Sequence, residues 1–418
     1  MARASRSTVD PALDAAALLR RVGFFGLFVI VPVVAQVGRR ATVVLAPIAV
    51  VLLIIASAID RRQRPLRPAG LRLLGSPAFL AGMLVILWSA LSLAWTPFLG
   101  PASERLANLA ATILLTLAGY LALPDRMRSA NLYLLPLGIT AAAIVAVVLG
   151  LFGDSLMRGS VDDDSALDRG LTLLTLLVWP AAAWLRSRRR DREAMALALI
   201  VAVALAVSPN LTQILALLVG ALAFAVTSLR PRLGVMLTAG LSAGLLAVAP
   251  LIPFVARPAG AALFGPLAPG VLSLKSWQKI VTSEPLRLIT GHGFETALRG
   301  RVAGLLPANA PTTALFELWY ELGIVGALAA AFCLHASIRR AGRDVPLLVP
   351  GAMAGFAAAF TIACIGVGLT VIWWLTALAI TVLVFVSIER GQFRTSRPKV
   401  ARLRRIREAG SDGSAEVG

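Results

Sequence analysis

Residues 345–388 contain no Asp, Glu, Lys or Arg, a stretch of 44 residues with no charge to present to water. Crossing the hydrocarbon of a bilayer takes about 20 apolar residues. The stretch therefore holds two crossings, divided by length near 366–368. Comparable apolar runs recur along the chain, at about 22–38, 41–59, 77–95, 106–123, 131–152, 170–185, 194–208, 211–229, 233–256, 313–338, 345–368 and 370–388. The pattern predicts an all-α polytopic membrane protein of about twelve spans. Composition agrees: 58% of residues are hydrophobic, 15% are charged and the mean hydropathy is +0.83, whereas soluble domains run near ~50% apolar and ~25% charged. A soluble enzyme, a secreted disulfide scaffold and a disordered chain are excluded. Twelve spans would use ~240 residues and leave ~180 for loops and tails, room for one modest extramembrane unit.

The formal net charge of +19 suggests nucleic-acid binding until the basic residues are placed along the chain. They punctuate the apolar runs. With the N-terminus inside, inside segments carry 29 Lys and Arg and outside segments carry 11, so the positive-inside bias puts both ends in the cytoplasm. The expected organisation is a cytoplasmic segment 1–21, nine spans over 22–256, an outer subdomain 257–312, three spans over 313–388 and a basic cytoplasmic tail 389–418. The tail reads as an anchor facing an anionic leaflet, and no nucleic-acid partner is expected. The apolar run 24–37 is long for a signal peptide and reads as a retained anchor. Cys333 and Cys364 fall within spans, which gives no reason to expect a disulfide. With two Cys and two His in the whole chain, a Cys/His metal cluster is excluded. No nucleotide or redox cofactor is indicated either, since no Gly-rich phosphate loop sits between a strand and a helix.

Chemistry, if present, belongs to the outer face, where 153–169 and 257–312 are the long connections. Over 271–289 (VLSLKSWQKIVTSEPLRLI), Leu274, Trp277, Ile280 and Val281 share one helical face and Lys275 and Lys279 another. This predicts an amphipathic helix lying at the outer interface. Next come Gly291, His292, Gly293 and Phe294, then Arg299 and Arg301, then a span in which Glu317 and Glu321 lie one turn apart. Carboxylates in an apolar span are costly and usually face a polar interior or a partner. A catalytic or ligand-contacting role is the functional reading, and a cap or an arginine pair is the structural one. Asp162, Asp163 and Asp164 suit a divalent metal by chemistry, but three adjacent aspartates in a polar loop read more simply as a solvated segment, and no metal is expected. Arg169, at the outer mouth of the sixth span, suits a phosphate at headgroup level. Asn210, Thr212 and Gln213, in the outer turn after span seven, offer neutral hydrogen bonds, or make a tight turn. His335, near the opposite end of its span, reads as structural.

The order of a Lys/Arg-plus-Trp helix (Lys275, Trp277), a Gly-x-Gly-Phe turn (291–294), an outer loop and a span carrying Glu-Leu-Gly-Ile-Val-Gly (321–326) resembles the O-antigen ligase and O-antigen polymerase family. These are bacterial membrane glycosyltransferases that act on lipid-linked glycans. The motif resemblance covers roughly 271–326, and the rest of the chain matches in hydropathy and topology. It implies a small helical periplasmic subdomain between helices 9 and 10, residence in the bacterial inner membrane and a periplasmic active face. The implied reaction moves a glycan from an undecaprenyl-pyrophosphate carrier to a sugar hydroxyl, on lipid A core for a ligase or on a second lipid-linked glycan for a polymerase, with no cofactor. The family is thought to hold pyrophosphate with arginines and to activate the acceptor with a histidine near the start of the tenth span.

A lipid pyrophosphate needs clustered cations, and Arg offers a planar fork where Lys offers a point charge. Arg169, Lys275, Lys279, Arg287, Arg299 and Arg301 are the outside candidates. The acceptor needs a base within hydrogen-bond reach, and Glu317, Glu321 and His292 lead a set that also holds Glu284 and Glu295. Trp277, Thr312, Asn210, Thr212 and Gln213 are candidate acceptor or turn contacts. The chain departs from the family where its His-Asn pair, counted back from Glu321, falls on Thr312 and Thr313, neither of which is a base near neutral pH. Glu317 as the base is the favoured substitute. The alternatives are a transporter or flippase of a polyisoprenoid-linked substrate, against which stands the lack of internal symmetry or paired broken spans, and a catalytically silent family member acting in polysaccharide assembly.

Overall fold

The computed structural model describes residues 11–60, 75–125, 127, 129–156, 163–208, 210–343, 345–368 and 371–392. Asp162, the first ten residues and the basic tail beyond Gln392 lie outside the described residues, as do the side chains of Asp163 and Asp164. Every regular element described is helical. In chain order these are α1 (Pro11–Val34), α2 (Ala41–Asp60), α3 (Pro77–Leu91), α4 (Leu99–Ala122), α5 (Leu134–Leu156), α6 (Asp163–Ser187), α7 (Asp191–Val207) and α8 (Leu211–Leu229). There follow α9 (Pro231–Ala247), α10 (Ile252–Phe264), α11 (Pro269–Ser283), α12 (Arg287–Thr290), α13 (Thr296–Val302), α14 (Ala314–Ala341), α15 (Val349–Ile365) and α16 (Ile372–Gly391).

Among the described residues, nine helices are long and apolar enough to cross a membrane: α1, α2, α3 with its following turn, α4, α5, α6, α8, α14 and α16. The chain is a polytopic membrane protein. Helices α7 and α15, on two further apolar runs, have 17 residues each. The expected ninth span, 233–256, is not one rod. It breaks at Ala249–Leu251, and the helix beyond turns by 67°. Pro250 and Pro253 sit in the first turns after the break, where a missing N–H costs nothing, whereas inside a continuous helix each would forfeit a backbone bond.

Among the described residues two large apolar cores organise the bundle, with a small third cluster of Ala239, Ile338, Val349 and Met353. The larger is centred on α6, whose apolar window is 83% buried where that of α4 is 11% buried. Helices α5, α7, α8, α15 and α16 surround α6, so Leu174, Leu177, Val178 and Trp184 are closed off from lipid. The smaller core joins α3, α9 and α14 to the segment 271–316. Outward faces remain apolar, as at Leu87, Leu114, Leu137 and Leu218, which suits hydrocarbon rather than water.

Successive connections alternate between two ends. At one end the Arg390 guanidinium donates to the Leu123 carbonyl, Arg188 to the Gly391 carbonyl and Arg186 to Ser228 Oγ. At the other, called distal below, Arg169 donates to the Arg39 carbonyl, Asn210 to Asp168, and Thr96 to the Phe294 carbonyl. All candidate site residues lie at the distal end.

Candidate functional site

The segment 252–313 covers the distal end, and α11 is its longest helix. The predicted helix over 271–289 is shorter than expected: α11 stops at Ser283 because Pro285 pushes Glu284 out of the helical region. Its apolar face also does something different from lying on lipid. Trp277 is 5% exposed and meets the Phe316 ring edge-on at 5.7 Å, with Leu274, Ile280 and Val281 packed into the same core. Lys275 and Lys279 stand exposed on the outward side.

The expected tenth span, 313–338, is likewise interrupted. Two successive spans are therefore broken where the apolar pattern shows no broken span, and a lack of paired broken spans no longer stands against a transporter. Thr313 caps α14, its hydroxyl accepting from the Phe316 N–H at 3.4 Å. At Gly323 the backbone leaves the helical region (φ 61°, ψ −160°). A break inside a helix leaves carbonyls without their usual partners, and here three consecutive ones are met from outside. His292 N–H donates to the Tyr320 carbonyl at 2.8 Å, Gly293 N–H to that of Glu321 at 3.1 Å, and the Trp88 indole to that of Leu322 at 2.8 Å. The Gly-x-Gly turn thus serves the backbone: a Cβ on Gly291 would lie 2.1 Å from the Glu321 carbonyl oxygen, and one on Gly323 would lie 2.4 Å from that of Ile289. Gly323→Ala is expected to lower stability by about 2–3 kcal/mol through forced displacement at a left-handed position. Gly244→Ala, on α9 with nothing within 4 Å of the added carbon, is expected to leave stability equal or raised by ~0.5–1 kcal/mol. Unfolding midpoints of the two variants in the same detergent check this.

His292 is fixed by this turn. Its ring stacks on Tyr320 with centroids 4.0 Å apart, Nδ1 lies 3.0 Å from the Tyr320 carbonyl and Nε2 lies 2.9 Å from Glu284 Oε2. Both ring nitrogens are thus engaged within the protein, one at a backbone carbonyl and one at a carboxylate.

Around the break, three glutamates are buried: Glu295 is 1% exposed, Glu317 6% and Glu321 5%. Each has a different partner. Glu321 Oε1 accepts from the Ala297 N–H at 3.0 Å, in the first turn of α13, where a carboxylate also complements the helix dipole. Glu295 holds Arg105 at 3.1 Å and has Arg299 Nε at 3.8 Å. Glu317 Oε1 lies 3.8 Å from the Arg301 guanidinium, and these two side chains are 8% and 14% exposed. A Cβ on Gly368 would come within 2.6 and 2.7 Å of the two Glu317 oxygens, so the connection between α15 and α16 lies directly on this carboxylate.

Glu317, Glu321, Arg299, Arg301, His292 and Trp277 therefore share one neighbourhood, with Arg287 exposed beside His292 and Glu284 at a shallow aromatic notch. Thr312 is exposed just before α14. A second polar cluster stands on the other side of the α15–α16 connection. Asn210 accepts from the Thr212 N–H and donates to Asp168, while Gln213 donates to the Asp168 carbonyl and to Thr172. Arg169 lies over the Trp373 ring at 5.3 Å. Thr212 packs on Gly366 and Glu317 lies against Gly368, so residues 366–368 border both clusters. Among the described residues no group of three or more His, Cys, Asp or Glu is arranged to hold a metal ion.

Arg105 is the residue that sequence reasoning passed over. It stands near the start of a helix whose apolar run begins after it, and Glu104 beside it makes the pair look like ordinary solvated residues. No family model matches the chain, and no curated protein or solved structure is detectably similar to it.

Proposed function

We propose that the protein is a membrane glycosyltransferase of the O-antigen ligase or polymerase type, acting at the distal end on a glycan carried by undecaprenyl pyrophosphate. The observation that carries this reading is the Glu317–Arg301 pair, a buried carboxylate with a part-buried guanidinium 3.8 Å away, under a polar cover at the end of an apolar bundle. In this reading the chain crosses the membrane twelve times, with α7, α15 and the α9 elbow counted as crossings. The end bearing Arg186, Arg188, Arg230, Arg339 and Arg390 faces the cytoplasm under the positive-inside bias, which makes 252–313 the periplasmic subdomain and places both termini inside.

Arg301 and Arg299, with Arg287, Lys275 and Lys279 nearer solvent, supply positive charge for a diphosphate and for the charge that grows on it as the glycosidic bond breaks. Glu317 accepts the proton of the acceptor hydroxyl as its oxygen attacks the anomeric carbon. Undecaprenyl pyrophosphate leaves with the bonding electron pair. Glu321, committed to the first turn of α13, positions that helix and hence Arg299 and Arg301. Arg169 and Asn210 belong to the second cluster and would meet the carrier or acceptor on the far side of residues 366–368.

Purified protein in liposomes, given an undecaprenyl-pyrophosphate-linked glycan and either lipid A core or a second carrier-linked glycan, is expected to form a new glycosidic bond and release undecaprenyl pyrophosphate. Translocation of the intact lipid without covalent change would establish a transporter. Absence of both transfer and transport, with a surface-polysaccharide defect in a null strain, would identify a silent assembly partner. In the same null strain, loss of all long chains on lipid A core marks a ligase, and capping with single repeats marks a polymerase.

A further inference from the structure

The exposed residues of α10 and the turn before it are Leu251, Phe254, Val255, Pro258, Ala259, Ala262, Leu263 and Phe264, all but the last at spacings that place them on a single helical stripe. None is polar. Val255 and Leu263 are 73% and 76% exposed, and at the end of the helix and just past it Phe264 and Leu267 are 76% and 81% exposed. The opposite face does the packing: Arg257 donates to Gln278 at 2.7 Å and Gly260 lies against Val271, both on α11. A soluble surface does not present such a face to water.

We infer that α10 lies half-submerged in the distal leaflet of the bilayer, with this stripe against acyl chains and its α11-facing side toward the subdomain. Lipid, rather than another protein, is argued from continuity. The outward face of α9 carries Leu237, Leu241, Leu245 and Val248, exposed side chains on a helix paired with the span α14, and the row runs through Leu251 into α10 without a polar residue. The geometry fits the thickness available. Thirteen residues make a helix of about 20 Å, and a bend of 67° from an upright α9 leaves about 8 Å of climb. Each interfacial layer of a bilayer is roughly 5–8 Å deep, so α10 stays within it along its length, as interfacial helices with one apolar face do. The expectation of an interfacial helix at 271–289 is thus moved one helix earlier, since α11 uses its apolar face against α14.

The test places an environment-sensitive nitrobenzoxadiazole label on single cysteines, Val255→Cys, Leu263→Cys and, for comparison on α11, Lys279→Cys, with Cys333 and Cys364 replaced by serine. The protein is held in nanodiscs of phosphatidylethanolamine and phosphatidylglycerol. Labels at Val255 and Leu263 are expected to lose most of their emission to lipid spin-labelled near the headgroup and little to aqueous iodide, and the label at Lys279 is expected to do the reverse. Iodide quenching at 255 and 263 equal to that at 279 would overturn the inference. Shielding from both quenchers would also overturn it, because a second copy of the chain or another protein would then cover the stripe.

Discussion

Arg105→Ala is expected to cost about 3–5 kcal/mol of stability, the range for removing one partner of a buried ion pair. Its partner Glu295 is 1% exposed and lies at 3.1 Å, with a backbone held in the left-handed region at φ 67°. Glu295 opens the connection into α13, so a carboxylate stranded there would strain the turn that also meets the break in α14. Arg299, half exposed at 3.8 Å, remains as a weaker partner, so the loss comes from leaving the buried charge under-compensated and not from a missing attraction alone. The double variant Arg105→Ala, Glu295→Gln should therefore recover a large part of it. Arg190→Ala provides the contrast, since Arg190 and Glu193 are 41% and 48% exposed and such surface pairs contribute ~0.5 kcal/mol or less. Unfolding in mixed micelles with increasing denaturing detergent measures all three variants. A cost for Arg105→Ala no greater than that for Arg190→Ala would mean that water reaches Glu295.

Under the proposed reaction, Glu317→Gln should lower the transfer rate by about 10²–10⁴-fold, the usual contribution of a positioned general base. The amide keeps the shape of the carboxylate under Gly368, so yield and unfolding midpoint should change little. Glu321→Gln is the matched control. Its amide oxygen can still accept from the Ala297 N–H, and a carboxylate whose work is to hold α13 should keep most of its rate as the amide. If both amides transfer at the parental rate, neither glutamate is the base. If only Glu321→Gln loses activity, the roles assigned to the two residues are exchanged.

Spans along this chain are legible because an apolar window responds to composition, and composition changes abruptly at Arg39, at Arg105 and at the arginines near 188. Helix direction is another matter. Both interruptions, at 248–251 and at Gly323, fall within runs as apolar as their neighbours, so a window passes through them unchanged. Prolines at 250 and 253 carried a local signal for the first. Gly323 carried little, because glycines in membrane helices more often mark close packing than a break. The site was legible in part for a related reason. Sequence shows which residue types are available on one face, and so singled out Glu317, Glu321, Arg299 and Arg301. It cannot show that Glu321 is spent on the backbone of α13, or that residues 366–368 touch Thr212 on one side and Glu317 on the other, since both depend on contacts between residues far apart in the chain.

The three carbonyls at the Gly323 break accept from residues 88, 292 and 293, so the shape of α14 is borrowed from elsewhere. Alone, that helix would have every reason to run straight. The outer cover and the membrane rod beneath it are consequently one mechanical part, and rocking the cover would have to give up the bonds from His292 and Gly293 together.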